Sequence, residues 1–472
     1  GLISAICKGR NKIQMRKDKM ENFEILPTEE NLIKTLEADL LGRNQQLSYF
    51  YNLLLAQKGA STIAVDGKWG SGKTFFIKQS TMVINAKKPV SIIEKEKREK
   101  ILSKLFLTES DNYDDCNLAI YYDAWENDND TEPILSLIYE ITKQLSVDFS
   151  LSDKKIVNVA DVIIESISGW NIKKIKDAFT SEDPFTKFKE QKNIEGKIKE
   201  FLTGLLGERA NRLVIFIDEL DRCNPRFAVQ LLEQVKHYLI DERITFVFSV
   251  NLDQLQHTIK HHYGTEFDAS RYLDRFFGLR IALPPADIDL FYDEIGFSSI
   301  HYVDTIMKRI IKMYNFELRE ISKFYLQVKT AIFKPIRNSK NYNFSFSEGA
   351  GRWIIIVYIV PLLIGLKIVD ISQYDDFVNG KDVTPLIKLL NSDRDKRILR
   401  GMLGGNEDFD KDAEKKEIVS PEQVIKRLYE AIFVNTCEGE DSVTLGEYEF
   451  FKGSKIMAIR TASVLSDYAD LI

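Results

Sequence analysis

The sequence predicts an α/β fold in which a parallel β-sheet is flanked by helices and followed by a mostly helical C-terminal region. Three observations lead there. Short, apolar, β-branched stretches stand at 61–66, 117–122, 212–217, 244–250 and 279–283, and helical patterns fill much of the chain between them. The first stretch runs directly into a cluster of glycines and then an apolar helical start. After Pro284-Pro285 the composition changes to aromatic-rich helical patterns. Strands alternating with helices imply a doubly wound sheet, which takes its ligand at the C-terminal ends of the strands.

The glycine cluster identifies the ligand. In "STIAVDGKWGSGKTFFIKQS" (61–80), Gly67, Lys68, Trp69, Gly70, Ser71, Gly72, Lys73 and Thr74 fill every fixed position of G-x-x-x-x-G-K-[ST]. Glycines let backbone N–H groups turn toward phosphate oxygens, and the helix that follows adds a favourable dipole at its N-terminus. Lys73 would then reach the β- and γ-phosphates, and the Thr74 hydroxyl would ligate Mg²⁺.

A phosphate loop by itself hydrolyses nothing. "RLVIFIDELDRCNP" supplies a partner: apolar Val214 to Ile217, then Asp218 and Glu219. An acid at the end of a buried strand can hold the shell of a bound Mg²⁺, which assigns Asp218 to the metal beside Thr74. Glu219 is then placed to orient and polarise a water as general base. Asp221 and Arg222 read as an ion pair at the following turn. Further on, Asn251 ends the stretch "FVFSVN" as either a sensor of the terminal phosphate or an ordinary helix cap. "SRYLDRFFGLR" offers Arg271, Arg275 and Arg280, of which Arg275 is the candidate for transition-state charge, in cis or from a neighbouring subunit, with surface pairing as its alternative.

Other classes are set aside on residues. Asn251-Leu252-Asp253-Gln254 is not the N-K-x-D reader of guanine, which favours ATP. No LSGGQ-type signature is present, and His257 and His261 lack the glutamate that would make H-x-x-x-H a zinc site. The net charge of −6 gives no bulk case for nucleic acid, although a local basic patch stays open. Four scattered cysteines, without C-x-x-C spacing, suggest reduced thiols in a cytoplasmic protein. Uncharged Trp353 to Leu366 is 14 residues long and contains Pro361, short of the roughly 20 that a spanning helix needs, so it reads as buried core, with membrane or partner contact as the alternative, and the chain as soluble. Gly1 to Lys19 carries six Lys/Arg against one Asp; it reads as a tag or disordered arm ahead of a natural start at Met20, with contact to nucleic acid or acidic lipid as the alternative.

Taken together, these segments resemble the KAP family of P-loop NTPases. "DLLGRNQQLSYFYNLLL", "VDGKWGSGKT", "YYDAWEND" and "FIDELDRCNP" are similar to four family stretches in the right order, and "SRYLDRFFGLRIALP" and "LREISKFYLQV" more loosely to later ones. The resemblance covers about residues 36 to 335. It implies an additional-strand, catalytic-glutamate core with helical insertions, ATP and Mg²⁺ as cofactors, and the same roles for Lys73, Thr74, Asp218 and Glu219. It adds Arg43 before the loop and Arg319 as a lid arginine to the nucleotide-contacting candidates. Asn251 falls where the family often has an acid. Many members carry transmembrane helices between the two motifs; this sequence has none there.

The expected layout is an N-terminal arm (1–35), a core (36–285) with a helical insertion at about 80–210, a helical lid (286–340) and a C-terminal, mostly helical domain (341–472). The expected function is an ATP-binding, ATP-hydrolysing switch. Bacterial anti-phage defence with a partner effector, or self-association, is implied by the family alone. A scaffold with negligible hydrolysis and a nucleic-acid-dependent ATPase are the alternatives.

Overall fold

The computed structural model describes residues 26–57, 61–88, 93–105, 117–148, 210–238, 241–298, 302–332, 349–409, 416–435 and 442–463, with a few positions between 196 and 206. The basic leader and most of the expected insertion beyond residue 148 lie outside them. The chain divides into two compact units, Leu26–Phe291 and, among the described residues, Tyr292 onward.

Five parallel strands form the sheet of the first unit: β1 (Ser61–Asp66), β2 (Asn117–Asp123), β3 (Arg212–Asp218), β4 (Ile244–Val250) and β5 (Leu279–Ala282). Each coincides with a stretch expected from its β-branched, apolar composition, to within one residue at the C-terminal end. Their order is β2-β3-β4-β1-β5. β4 therefore separates the strand that feeds the phosphate loop from the strand that ends in the acidic pair, which is the additional-strand arrangement.

Alternation along each strand divides the core in two, because successive side chains leave opposite faces of the sheet. Leu213, Ile215 and Ile217 of β3 pack with Phe246 and Phe248 of β4 against helices Pro133–Asp148, Pro225–Tyr238 and Leu252–Tyr263. Val214 and Phe216 pack with Ile63, Val65 and Val247 on the other face, against helices Glu29–Ala38, Asn44–Ala56 and Lys73–Lys87. All seven residues of β4 are buried, as expected for a central parallel strand covered on both sides. β2 and helix Pro133–Asp148 fall inside the span 80–210, and both contribute to this core.

The second unit is helical, with an antiparallel hairpin, β8 (Ser442–Leu445) and β9 (Tyr448–Phe451), after the short pair β6 (Glu407–Asp408) and β7 (Glu417–Ile418). Its central helix, Ala350–Val369, continues through Pro361 because the turn before it, Ile355–Ile359, is a π-turn that reaches back five residues. This is one helix long and apolar enough to cross a membrane, and 72% of its apolar window is buried inside the structure. Ile354 to Leu366 pack as core. Gly365 is required there: a Cβ would lie 2.7 Å from Cγ2 of Ile310. Asp395, fully buried, is satisfied by Arg309 (2.6 Å), the Tyr358 hydroxyl (2.9 Å) and Ser392.

Candidate functional site

The loop after β1 is shaped by residues that only glycine replaces without strain. Gly70 and Gly72 have φ of 82° and 90°, and Gly72 precedes the first turn of helix Lys73–Lys87. A Cβ on Gly67 would meet Ser71 Oγ at 3.0 Å and Lys73 Cγ at 3.2 Å. The loop is also tied to its surroundings. Gly67 N–H donates to the Val250 carbonyl (3.2 Å), and Leu252 N–H donates to Asp66 Oδ1 (2.9 Å), which joins the ends of β1 and β4. Arg43 is buried at the start of helix Asn44–Ala56 and donates from Nη2 to the Ser71 carbonyl (3.0 Å), so it braces the loop backbone.

Lys73 folds back over this loop. Its ammonium donates to the carbonyls of Gly67 (2.6 Å) and Lys68 (3.1 Å). Burial lowers its pKa, while Asp221, Asp218 and Glu219 act in the opposite direction. Thr74, one residue on, donates to Glu219 Oε1 at 3.4 Å. The loop and the acidic pair, 145 residues apart in sequence, thus meet in space.

Asp218 ends β3 and is fully buried. Its Oδ2 accepts from the Tyr121 hydroxyl (3.2 Å) and its Oδ1 from the Glu219 N–H (3.0 Å). Burial raises its pKa, partly offset by the Tyr121 hydroxyl bonded to it. Ser249 stands opposite Asp218 in the β3–β4 register. A buried carboxylate beside a threonine hydroxyl is a hard-oxygen donor set that suits Mg²⁺, so Thr74 and Asp218 fit the metal that accompanies a bound nucleotide.

Glu219 adopts a left-handed backbone, φ 62°, at the start of a 3₁₀ turn, Leu220–Arg222. A bulky residue held there costs free energy, and such conformations cluster at functional sites. Burial and the neighbouring Asp218 push its carboxyl up to about 7, against the opposing pull of Arg222 and Lys73. The expected Asp221–Arg222 pair is not what forms. Arg222 makes its ion pair with Glu219, while Asp221 accepts from the Trp69 indole N–H at 2.6 Å. The turn is the reason: it brings residues i and i+3 together and sends consecutive side chains apart.

Asn251 caps helix Leu252–Tyr263, accepting the Gln254 N–H through Oδ1 at 3.3 Å. Of the three arginines near β5, Arg271 pairs with Asp268 and Arg280 with Asp274. Arg275 is exposed at the end of helix Ala269–Asp274, with no ion pair among the described residues. Arg319 is exposed on helix Leu318–Ile332 of the second unit. The Tyr121–Asp218 bond was not nominated by the sequence because it depends on which strands are neighbours, and the Arg222–Glu219 pair was not because it depends on the turn. The signal for Tyr121 was its place in "YYDAWEND", four residues before an exposed Trp125.

A phosphate loop and an acidic strand end, separated by one inserted strand, define a nucleotide-binding P-loop NTPase. The KAP family P-loop domain matches residues 43–294, just over half the chain, and the chain belongs to that family. No curated protein matches it. A solved structure, of C. elegans PCH-2, is similar at 10% identity and a TM-score of 0.21, covering 85% of this chain and 68% of that one, a likeness too slight to bear on function.

Proposed function

We propose that this chain binds ATP–Mg²⁺ and hydrolyses it, with Glu219 as general base, and that the nucleotide state works as a switch. The observation that carries this is the meeting of Glu219 with Thr74 beside buried Asp218: a carboxylate able to accept a proton stands against the loop residue that would hold the metal. Lys73 and the loop N–H groups would bind the phosphates, and Thr74 with Asp218 would hold Mg²⁺, which when bound supplies charge stabilisation at the phosphoryl oxygens. Adenine is favoured over guanine because Asn251 to Gln254 lack the N-K-x-D reader. Arg275, exposed and without an ion pair among the described residues, suits transition-state charge presented to a second copy.

Family membership supports a setting in bacterial anti-phage defence, acting through a partner effector or self-association, in the cytoplasm. Coupling to that partner would fall to the helices after residue 290.

The test is turnover of labelled ATP and GTP by the purified protein, with and without DNA or RNA, and identification of the nucleotide released on denaturation. ATP hydrolysis in the absence of nucleic acid supports the switch. Bound ATP that is never cleaved under any of these conditions overturns the hydrolytic reading in favour of a scaffold. Turnover only with nucleic acid, falling steeply with salt, would make the protein a nucleic-acid-dependent ATPase.

A further inference from the structure

Both carboxylate oxygens of Glu219 are engaged by this chain. Oε1 accepts from Thr74, and Oε2 is ion-paired with Nε of Arg222. Arg222 is in turn fixed from two other elements. Its guanidinium carbon lies 5.7 Å from the ring centre of Trp69, in the phosphate loop, and 5.4 Å from that of Trp125, in the turn after β2. Each distance is within reach of a cation–π contact. Trp69 is anchored separately by Asp221.

The two indoles are 46% and 52% exposed, although tryptophan is normally among the more buried residues. Packing of the core therefore does not explain their placement; both share contact with the guanidinium, and Trp69 has the Asp221 bond besides. Nor is the Arg222–Glu219 contact an ordinary surface pair, since only 23% and 15% of the two side chains are exposed. Glutamate has three rotatable bonds, and a general base must keep one lone pair within hydrogen-bond reach of its water. A guanidinium in contact with two rings and bonded to Oε2 through Nε holds that oxygen, so the other, Oε1, stays toward the loop at Thr74.

We propose that Arg222, clamped by Trp69 and Trp125, is the positioning residue that aims Glu219 at the phosphate loop. This rests on the reading of Glu219 as the general base. Arg222 acts through Glu219 and is not itself required to touch nucleotide.

The experiment compares wild type, Arg222→Ala, Arg222→Lys, Glu219→Gln and the double variant Arg222→Ala/Glu219→Gln. Affinity is read by equilibrium binding of a fluorescent ATP analogue, and chemistry by single-turnover hydrolysis. The expected result for Arg222→Ala is a single-turnover rate lower by about 10- to 100-fold at an affinity within about threefold of wild type. Arg222→Lys should regain part of the loss, and Arg222→Ala should cost nothing further once Glu219 is Gln. An unchanged or faster rate in Arg222→Ala overturns the proposal, as does a full additional loss in the double variant. If Arg222→Ala does not fold, Trp125→Leu decides: slower turnover at unchanged affinity supports the clamp, and wild-type turnover refutes it. Absence of turnover in wild type is a separate result, which overturns the hydrolytic function itself.

Discussion

Trp69 donates its indole N–H to Asp221 at 2.6 Å, a bond across 152 residues that fastens the phosphate loop to the turn after the acidic pair. Asp221 is buried, and its other oxygen has no hydrogen-bond partner among the described residues. Trp69→Phe would keep a ring beside Arg222 and leave the carboxylate unsatisfied. The expected loss is about 1–3 kcal/mol of stability, measured by denaturant unfolding of the nucleotide-free protein. Unchanged stability would mean that the bond is not formed in solution.

Lys73 neutralises its own burial by bonding to the loop carbonyls of Gly67 and Lys68, a role that phosphate oxygens would take over. Lys73→Ala should therefore weaken ATP affinity by at least about tenfold, the scale of a charge-assisted hydrogen bond. The cost to folding should be small, because an ammonium whose pKa is depressed by burial is not a net stabiliser. Titration calorimetry beside thermal melting separates the two effects.

Turnover should depend on pH through Glu219. A general base works ionised, and burial beside Asp218 raises this carboxyl to about 7. Protonation below that value removes the base, so kcat/KM should fall on the acid side, by about tenfold per pH unit at the limit, and level off above. An acid limb confined to the ordinary carboxylate range would show that Glu219 is not the titrating base.

Asp218 illustrates a conflict between stability and function. Its folded pKa is raised, so the folded protein holds the proton more tightly than the unfolded chain, and the ionised carboxylate contributes a cost that grows as pH rises above the usual carboxylate range. Asp218→Asn should then stabilise the nucleotide-free protein, by about 0.5–2 kcal/mol at neutral pH, while abolishing the Mg²⁺ dependence of ATP binding. Melting curves and binding titrations with and without Mg²⁺ read both arms.

How much of this was legible in the sequence follows from what each feature depends on. The phosphate loop was, because its backbone needs glycine at Gly70 and Gly72, where φ is positive, and a fixed spacing to Lys73 and Thr74. The strands were, because a parallel sheet buried on both faces leaves continuous apolar runs such as Val214 to Ile217. The partner of Arg222 was not, since adjacency suggested Asp221 and only the 3₁₀ turn after Glu219 reveals an i, i+3 pair. The Tyr121–Asp218 bond required knowing that β2 lies beside β3. Pro361 suggested a break in the apolar run, yet the π-turn before it lets a 20-residue helix pass through.

In the proposed function Glu219 performs the chemistry while the loop performs the binding. The most direct measurement loads wild type and Glu219→Gln with labelled ATP and Mg²⁺, removes free nucleotide, and follows what stays bound. The expected result is ADP on wild type, and intact ATP retained on Glu219→Gln at near wild-type affinity, with cleavage slowed by about 10²- to 10⁴-fold. Cleavage by Glu219→Gln at the wild-type rate would contradict it.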